Sequence, residues 1–269
     1  MDESVALLEA QPGVLAAWHD GSVGDGTDDE YSDVDPVFII EDAHFRELEK
    51  NLPDIFARIS PDIVLFWPER VNNEYFYNYA IFIKYEGELI QYDFNALTLS
   101  ALENNPYRLA KIPLRAILFE KDGMLTKIIN GLEKKPDAVP SRETVARAIE
   151  TFWLYAYINV KYLRRRAVYK IAYALEELRT AHLVVMNGLA GGGKWNWWAG
   201  ALTKNTDAAQ KEEMLVYFGG CDIERMKADF YASCDLFSRD ARRLCTQSGA
   251  DYPEKLEREV REHMAKSLK

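Results

Sequence analysis

Between Trp18 and Ile40 the chain reads WHDGSVGDGTDDEYSDVDPVFII. Two short apolar runs enclose a stretch too rich in glycine and acid to lie in a core, so the segment predicts strand, glycine-rich loop, strand. Asp33 and Asp35 stand two residues apart at the mouth of the second strand. Side chains at i and i+2 of a strand share a face, so both carboxylates aim at one point. Such oxygens suit a hard cation such as Mg²⁺, which completes its shell with water and phosphate oxygens. Upstream, Gly21 and Ser22 open a loop containing Gly24 and Gly26. Glycine has no Cβ, so backbone N–H groups there can approach a phosphate.

The flanking pattern organises the rest. Asp2 to Glu9 predicts a short helix and Val14 to His19 a buried strand. Pro36 donates no ladder hydrogen bond, so the second strand is expected to begin at Val37. Ala43 to Ile59 reads as a helix interrupted near Pro53, and Ile63 to Trp67 as a strand. Tyr75 to Phe94 reads as a hairpin turning at Glu86-Gly87-Glu88. On its return strand Leu89, Gln91 and Asp93 share one face, so Asp93 becomes a third carboxylate for the site. Three carboxylates converging from two strands can hold two Mg²⁺ ions. Arg115 to Phe119 is a further strand and Met124 to Gly131 a short helix.

Composition shifts after Gly131. Lys134 to Ser141 reads as a linker. Beyond it apolar residues recur at helical spacing: Val145, Ile149, Phe152, Ala156, Val160 and Leu163, then Val168, Ile171, Leu175, Leu178, His182 and Val185. The glycines from Gly188 to Gly193 end that second helix. Further helices fit Ala208–Phe218, Ile223–Thr246 and Pro253–Ser267. The expected architecture is an α+β domain over residues 1–135 followed by an all-α bundle over 136–269.

A formal net charge of −10 argues against a nucleic-acid partner, whose binding needs basic surface, and suits a cationic small molecule. Cys221, Cys234 and Cys245 show no CxxC spacing and read as reduced thiols of a cytoplasmic protein. The N-terminal MDESVALLEA lacks a signal-peptide pattern, and no run of about 18 apolar residues spans a membrane.

These motifs carry a resemblance. GSVGDGTDDEYSDVD is similar to the Gly-Ser then Asp-x-Asp signature of the nucleotidyltransferase superfamily shared with DNA polymerase β. The long Gly-Ser to YSD spacing resembles lincosamide nucleotidyltransferases of the larger type. LIQYDFNAL, LRAILFEKDGML and FWLYAYINVKYLRR resemble the streptomycin (aminoglycoside 6-) adenylyltransferases. The resemblance implies a polymerase-β-like mixed sheet plus a helical substrate-binding domain. It implies transfer of AMP, or another NMP, from ATP or another NTP to a hydroxyl of a small cationic antibiotic. By it Gly21 and Ser22 would hold the triphosphate, Asp33 and Asp35 would ligate Mg²⁺, and Asp93 would complete the metal site or act as base. Nucleotide and a small molecule are the implied partners, with a homodimer left open.

Two positions depart from the family pattern. Pro36 replaces an apolar strand residue, and Arg164-Arg165-Arg166-Ala167 lacks the carboxylate that often follows the conserved basic residues. A second reading is therefore a degenerate member that binds nucleotide or ligand without turnover. A third is transfer to protein or RNA, the latter disfavoured by charge.

Lys161 and the three arginines, Arg165 among them, are candidates for gripping phosphate, since guanidinium forks match phosphate oxygens; a solvated helix face is the rival use. Gly188-Leu-Ala-Gly-Gly-Gly-Lys194 mimics a phosphate loop, but Trp195 stands where Ser or Thr belongs and a helix precedes it. Trp195, Trp197 and Trp198 fit packing between helices better than ring stacking on substrate. His182 reads as a core histidine, His44 and His263 as surface, and His19 as a neighbour of nucleotide. Tyr155, Tyr157 and Tyr162 are expected to pack in the bundle.

Overall fold

A computed structural model describes residues 2–110, 112–132, 140–191 and 198–269. The chain divides into two compact units, Met1–Lys134 and Lys135–Lys269.

The first unit is built on a six-stranded mixed sheet. Its strands are β1 (Val14–His19), β2 (Pro36–Ile40), β3 (Ile63–Pro68), β4 (Phe76–Tyr85), β5 (Glu88–Thr98) and β6 (Ile117–Glu120), in the order β3-β4-β5-β2-β1-β6. Helices α1 (Asp2–Glu9), α2 (Gly21–Asp25), α3 (Phe45–Ile59), α4 (Leu99–Asn104) and α5 (Met124–Gly131) surround it. Among the described strands only β2 and β5 run parallel, with Val37 opposite Asn95 and Ile40 opposite Thr98. Both strands lie inside the sheet, so both their faces are covered. Phe38, Ile40, Phe94 and Ala96 pack on one side against Phe45, Leu48, Leu52, Ile55 and Phe56 of α3. Val37, Ile39 and Leu97 pack on the other with Trp18, Leu102, Leu109 and Leu125. Alternation along PVFII thus feeds two cores, and all five residues of β2 are buried.

Several boundaries differ from the sequence expectation. The strand expected from Val37 begins one residue earlier, with Pro36 paired to His19. As the first residue of its strand, proline costs the ladder little, and the neighbouring ladder bond runs from Asp20 N to Asp35 O at 2.8 Å. The interruption expected at Pro53 does not occur, and α3 runs unbroken through it. An interior proline costs about 3 kcal/mol, whereas burying each large apolar side chain contributes about 1.5–3 kcal/mol. Five buried residues of α3 therefore outweigh one proline. Where the sequence predicts a loop after His19 the chain forms α2, capped by Asp20, whose carboxylate accepts from Gly21 N, and closed by Gly26 at φ 72°. The helix expected over Ala208–Phe218 stops as α-helix at Met214 and tightens into a 3₁₀ turn over Leu215–Tyr217.

The second unit is all helical among its described residues: α6 (Arg142–Arg164), α7 (Val168–Leu189), α8 (Trp198–Asn205), α9 (Ala208–Met214), α10 (Ile223–Ser248) and α11 (Glu254–Ser267). The two apolar stripes read from the sequence meet here, α10 packing on both α6 and α7 and α11 on α6. Phe152 of α6 stacks face to face on Phe237 of α10 with centroids 3.6 Å apart. His182 is a core histidine as expected, held between the Tyr217 hydroxyl (2.8 Å) and Asp240 Oδ2 (3.1 Å). Tyr155 and Tyr162 pack against the core, but Tyr157 is half exposed with its ring beside His263. Most of the linker lies outside the described residues, as do the Gly192–Lys194 end of the glycine-lysine mimic, Trp195 and Trp197. Trp198 is described: it stacks on Phe218, with Arg179 4.0 Å over its ring. Among the described residues no helix is long and apolar enough to cross a membrane.

Candidate active site

The mouth of β2 brings the expected carboxylates together. Asp33, Asp35 and Asp93 each offer an oxygen, and these atoms all lie within 4.8 Å of one another. The backbone explains the convergence. Val34 forms a parallel bridge to Tyr92, donating to Gln91 O at 3.2 Å and accepting from Asp93 N at 2.9 Å. The segment carrying Asp33 and Asp35 is thereby laced to β5 beside Asp93. By strand alternation Asp35 shares the face of Val37 and Asp93 the face opposite to Phe94, so all three point to the side of the Trp18 core.

Each carboxyl is half-buried. Burial pushes the Asp35 carboxyl up to about 7, with the charges of Asp33, Asp93 and Asp20 adding to the shift. Asp93 is also raised, first by burial; a hydrogen bond from Gln91 pulls the other way, and the charges of Asp33 and Glu69 raise it further. The cluster is thus a concentration of negative charge held against its own repulsion, with hard oxygen donors only. That donor set fits a divalent cation bound through carboxylate oxygens.

Gly21 lies against this cluster. Its φ is +63°, and a Cβ there would sit well inside van der Waals contact of Asp35 Oδ2. Gly24 is equally constrained: a Cβ there would strike His19 O. The glycines therefore allow a close turn of α2 onto the end of β1 and Asp35, where the sequence suggested an open loop. The Ser22 hydroxyl donates to Ser32 Oγ at 3.0 Å, and Ser32 in turn accepts from Asp29 N at 2.9 Å, so Ser22 anchors the acidic loop.

His19 alternates to the face opposite Trp18, is 9 % exposed, and has its pKa lowered by burial while its Nδ1 finds no partner. Lys161 and Arg165 are exposed at the C-terminal end of α6 in the second unit, Lys161 Nζ lying 5.2 Å over the Tyr162 ring. Arg166, at φ 52°, turns the chain into α7 and pairs with Glu224 at 3.1 Å. Sequence reasoning missed Arg115, whose guanidinium donates to Asp25 O at 2.7 Å beside Gly26. It also missed Asp20 and Glu69, which deepen the negative field; nothing in their local sequence marks them.

Solved structures that resemble the chain include the following two. One is an aminoglycoside 6-adenyltransferase from Bacillus subtilis, 12% identical, covering 100% of this chain and 97% of that one, at TM-score 0.47. The other is a nucleotidyltransferase-like protein from Exiguobacterium sibiricum, 12% identical, covering 91% and 78%, at TM-score 0.34. No curated protein matches the chain. The family model described as streptomycin adenylyltransferase matches residues 3–267, nearly the whole length. The chain belongs to the streptomycin adenylyltransferase family and is a nucleotidyltransferase.

Proposed function

We propose that this enzyme transfers AMP from MgATP to a hydroxyl of a cationic antibiotic of the aminoglycoside type. The convergence of Asp33, Asp35 and Asp93 beside Gly21 carries the reading, together with the family match along the chain. The acceptor hydroxyl oxygen attacks the α-phosphorus, the bond from that phosphorus to the bridging oxygen breaks, and pyrophosphate leaves. Asp33, Asp35 and Asp93 would hold Mg²⁺, which when bound neutralises phosphate charge. Asp93, raised by burial, takes the proton of the attacking hydroxyl. The rest is positioning and charge complementarity. Net charge of −10 favours a cationic acceptor. Residues 1–135 supply nucleotidyl transfer in this reading, and 136–269 form the helical substrate-binding domain. Lys161 and Arg165 contribute cations toward phosphate, and a lincosamide is the rival acceptor.

The test is Mg²⁺-dependent pyrophosphate release with a panel of aminoglycosides and lincosamides, comparing the parent with Asp33→Asn and Asp35→Asn. Loss of turnover in both variants is expected; unchanged turnover removes the proposal. ATP binding by calorimetry with no adenylylated product from any acceptor marks the degenerate alternative instead.

A further inference from the structure

Gln91 stands two residues before Asp93 on β5, on the same face and exposed. Its main chain already serves the site, since its carbonyl accepts from Val34 N. Its side chain does more. One amide nitrogen donates to Asp93 Oδ1 at 3.1 Å and reaches Asp33 Oδ2 at 3.4 Å. One of these carboxylates lies on the segment that leads into β2 and the other on β5, and they repel each other, so something must hold them at cation-binding spacing. A primary amide suits the task because its two N–H bonds diverge and can serve two acceptors. It carries no net charge, so it does not compete with a dication through the long-range field. An exposed glutamine contributes nothing to either core of the unit, which leaves the two carboxylates as its use.

We propose that Gln91 is a positioning residue that holds Asp33 and Asp93 together for divalent-cation binding. This rests on the reading of the triad as a metal site. Groups that orient metal ligands from behind typically change metal affinity by about 10–100-fold when removed. Gln91→Met keeps the length of the side chain and removes both donors. Gln91→Asn keeps the amide but is too short to span both carboxylates.

The experiment is titration of the full-length protein with Mn²⁺ alone, followed by electron paramagnetic resonance of the free ion, without nucleotide or acceptor. Melting temperature in EDTA is measured alongside. The expected result is Mn²⁺ affinity weakened about tenfold or more in both variants, with the EDTA melting temperature unchanged. Parent-like Mn²⁺ affinity in either folded variant overturns the role of Gln91 while leaving the metal site standing. Failure of the parent protein to bind Mn²⁺, with Asp33→Asn indistinguishable from it, overturns the metal-site reading itself.

Discussion

Gly21 and Asp35 are neighbours in space because one of them has no side chain: the Asp35 carboxylate occupies the position a Cβ of residue 21 would need. Backbone conformation adds to the constraint, since φ is +63°. Gly21→Ala should therefore push Asp35 out of the triad and strain the turn, destabilising the protein by about 1–3 kcal/mol. Urea unfolding measures the loss of stability. Mn²⁺ binding should weaken in the same variant, whereas Gly87→Ala, with nothing near its Cβ, should bind like the parent.

The raised Asp35 carboxyl sets a pH dependence. Between about 4 and 7 the unfolded chain has this group ionised while the folded protein keeps it protonated. The folded state then binds more protons, so stability falls as pH rises through that window. Melting temperature of the metal-free protein in EDTA should decline from pH 4.5 to 7.5. Asp35→Asn should melt higher than the parent at pH 7.5 and show a smaller decline. Adding Mg²⁺ should raise the melting temperature of the parent at pH 7.5 and leave Asp35→Asn little changed.

Asp240 behaves in the opposite sense. Burial alone would raise it, but hydrogen bonds and charge from His182 and Arg239 outweigh that and hold it at about 2. Its stabilising contribution is present above the unfolded value near 3.8 and is lost as pH falls toward 2. Asp240→Ala leaves buried His182 and its Tyr217 partner without their anchor and should cost about 3–5 kcal/mol, as breaking buried pairs does. Chemical denaturation at pH 7 checks this. Any folded fraction of this variant should keep the triad's Mn²⁺ affinity.

Arg115 is expected to hold α2 through Asp25. Arg115→Ala removes a charge-assisted hydrogen bond to a carbonyl at an exposed site, so stability should drop by about 1 kcal/mol or less. KM for the nucleotide should rise more than kcat falls if the turn of α2 serves the phosphates. Equal KM in the variant would confine Arg115 to a structural role.

Much of the first unit was legible because its signals are local. The helix over Met124–Gly131 and the helix over Asp2–Glu9 match the expectation residue for residue, since their boundaries are set by glycine and proline nearby. The shared face of Gln91 and Asp93 follows from strand alternation alone. What misled was context. Pro53 reads as a breaker, yet the packing of Phe45, Leu48, Leu52, Ile55 and Phe56 overrides it. GSVGD reads as loop because two of its five residues are glycine, yet those glycines are required by the contacts with Asp35 and His19 O. The ion pair of Arg166 with Glu224, from the start of α10 and fifty-eight positions along, is likewise a contact that no local pattern announces.

From the order of residues alone come the kinds of group available: two aspartates on one strand face, a third on another, a glycine pair, two apolar helical stripes. Periodicity and residue chemistry act over a few positions, so they need no fold to be read. Tertiary structure decided which groups meet. Register between β2 and β5, set by the Val34–Tyr92 bridge, brings Asp33 and Asp35 to Asp93 and places the Gln91 amide between two of them. Strand register depends on packing of both sheet faces at once, a property of the whole unit that no local window contains.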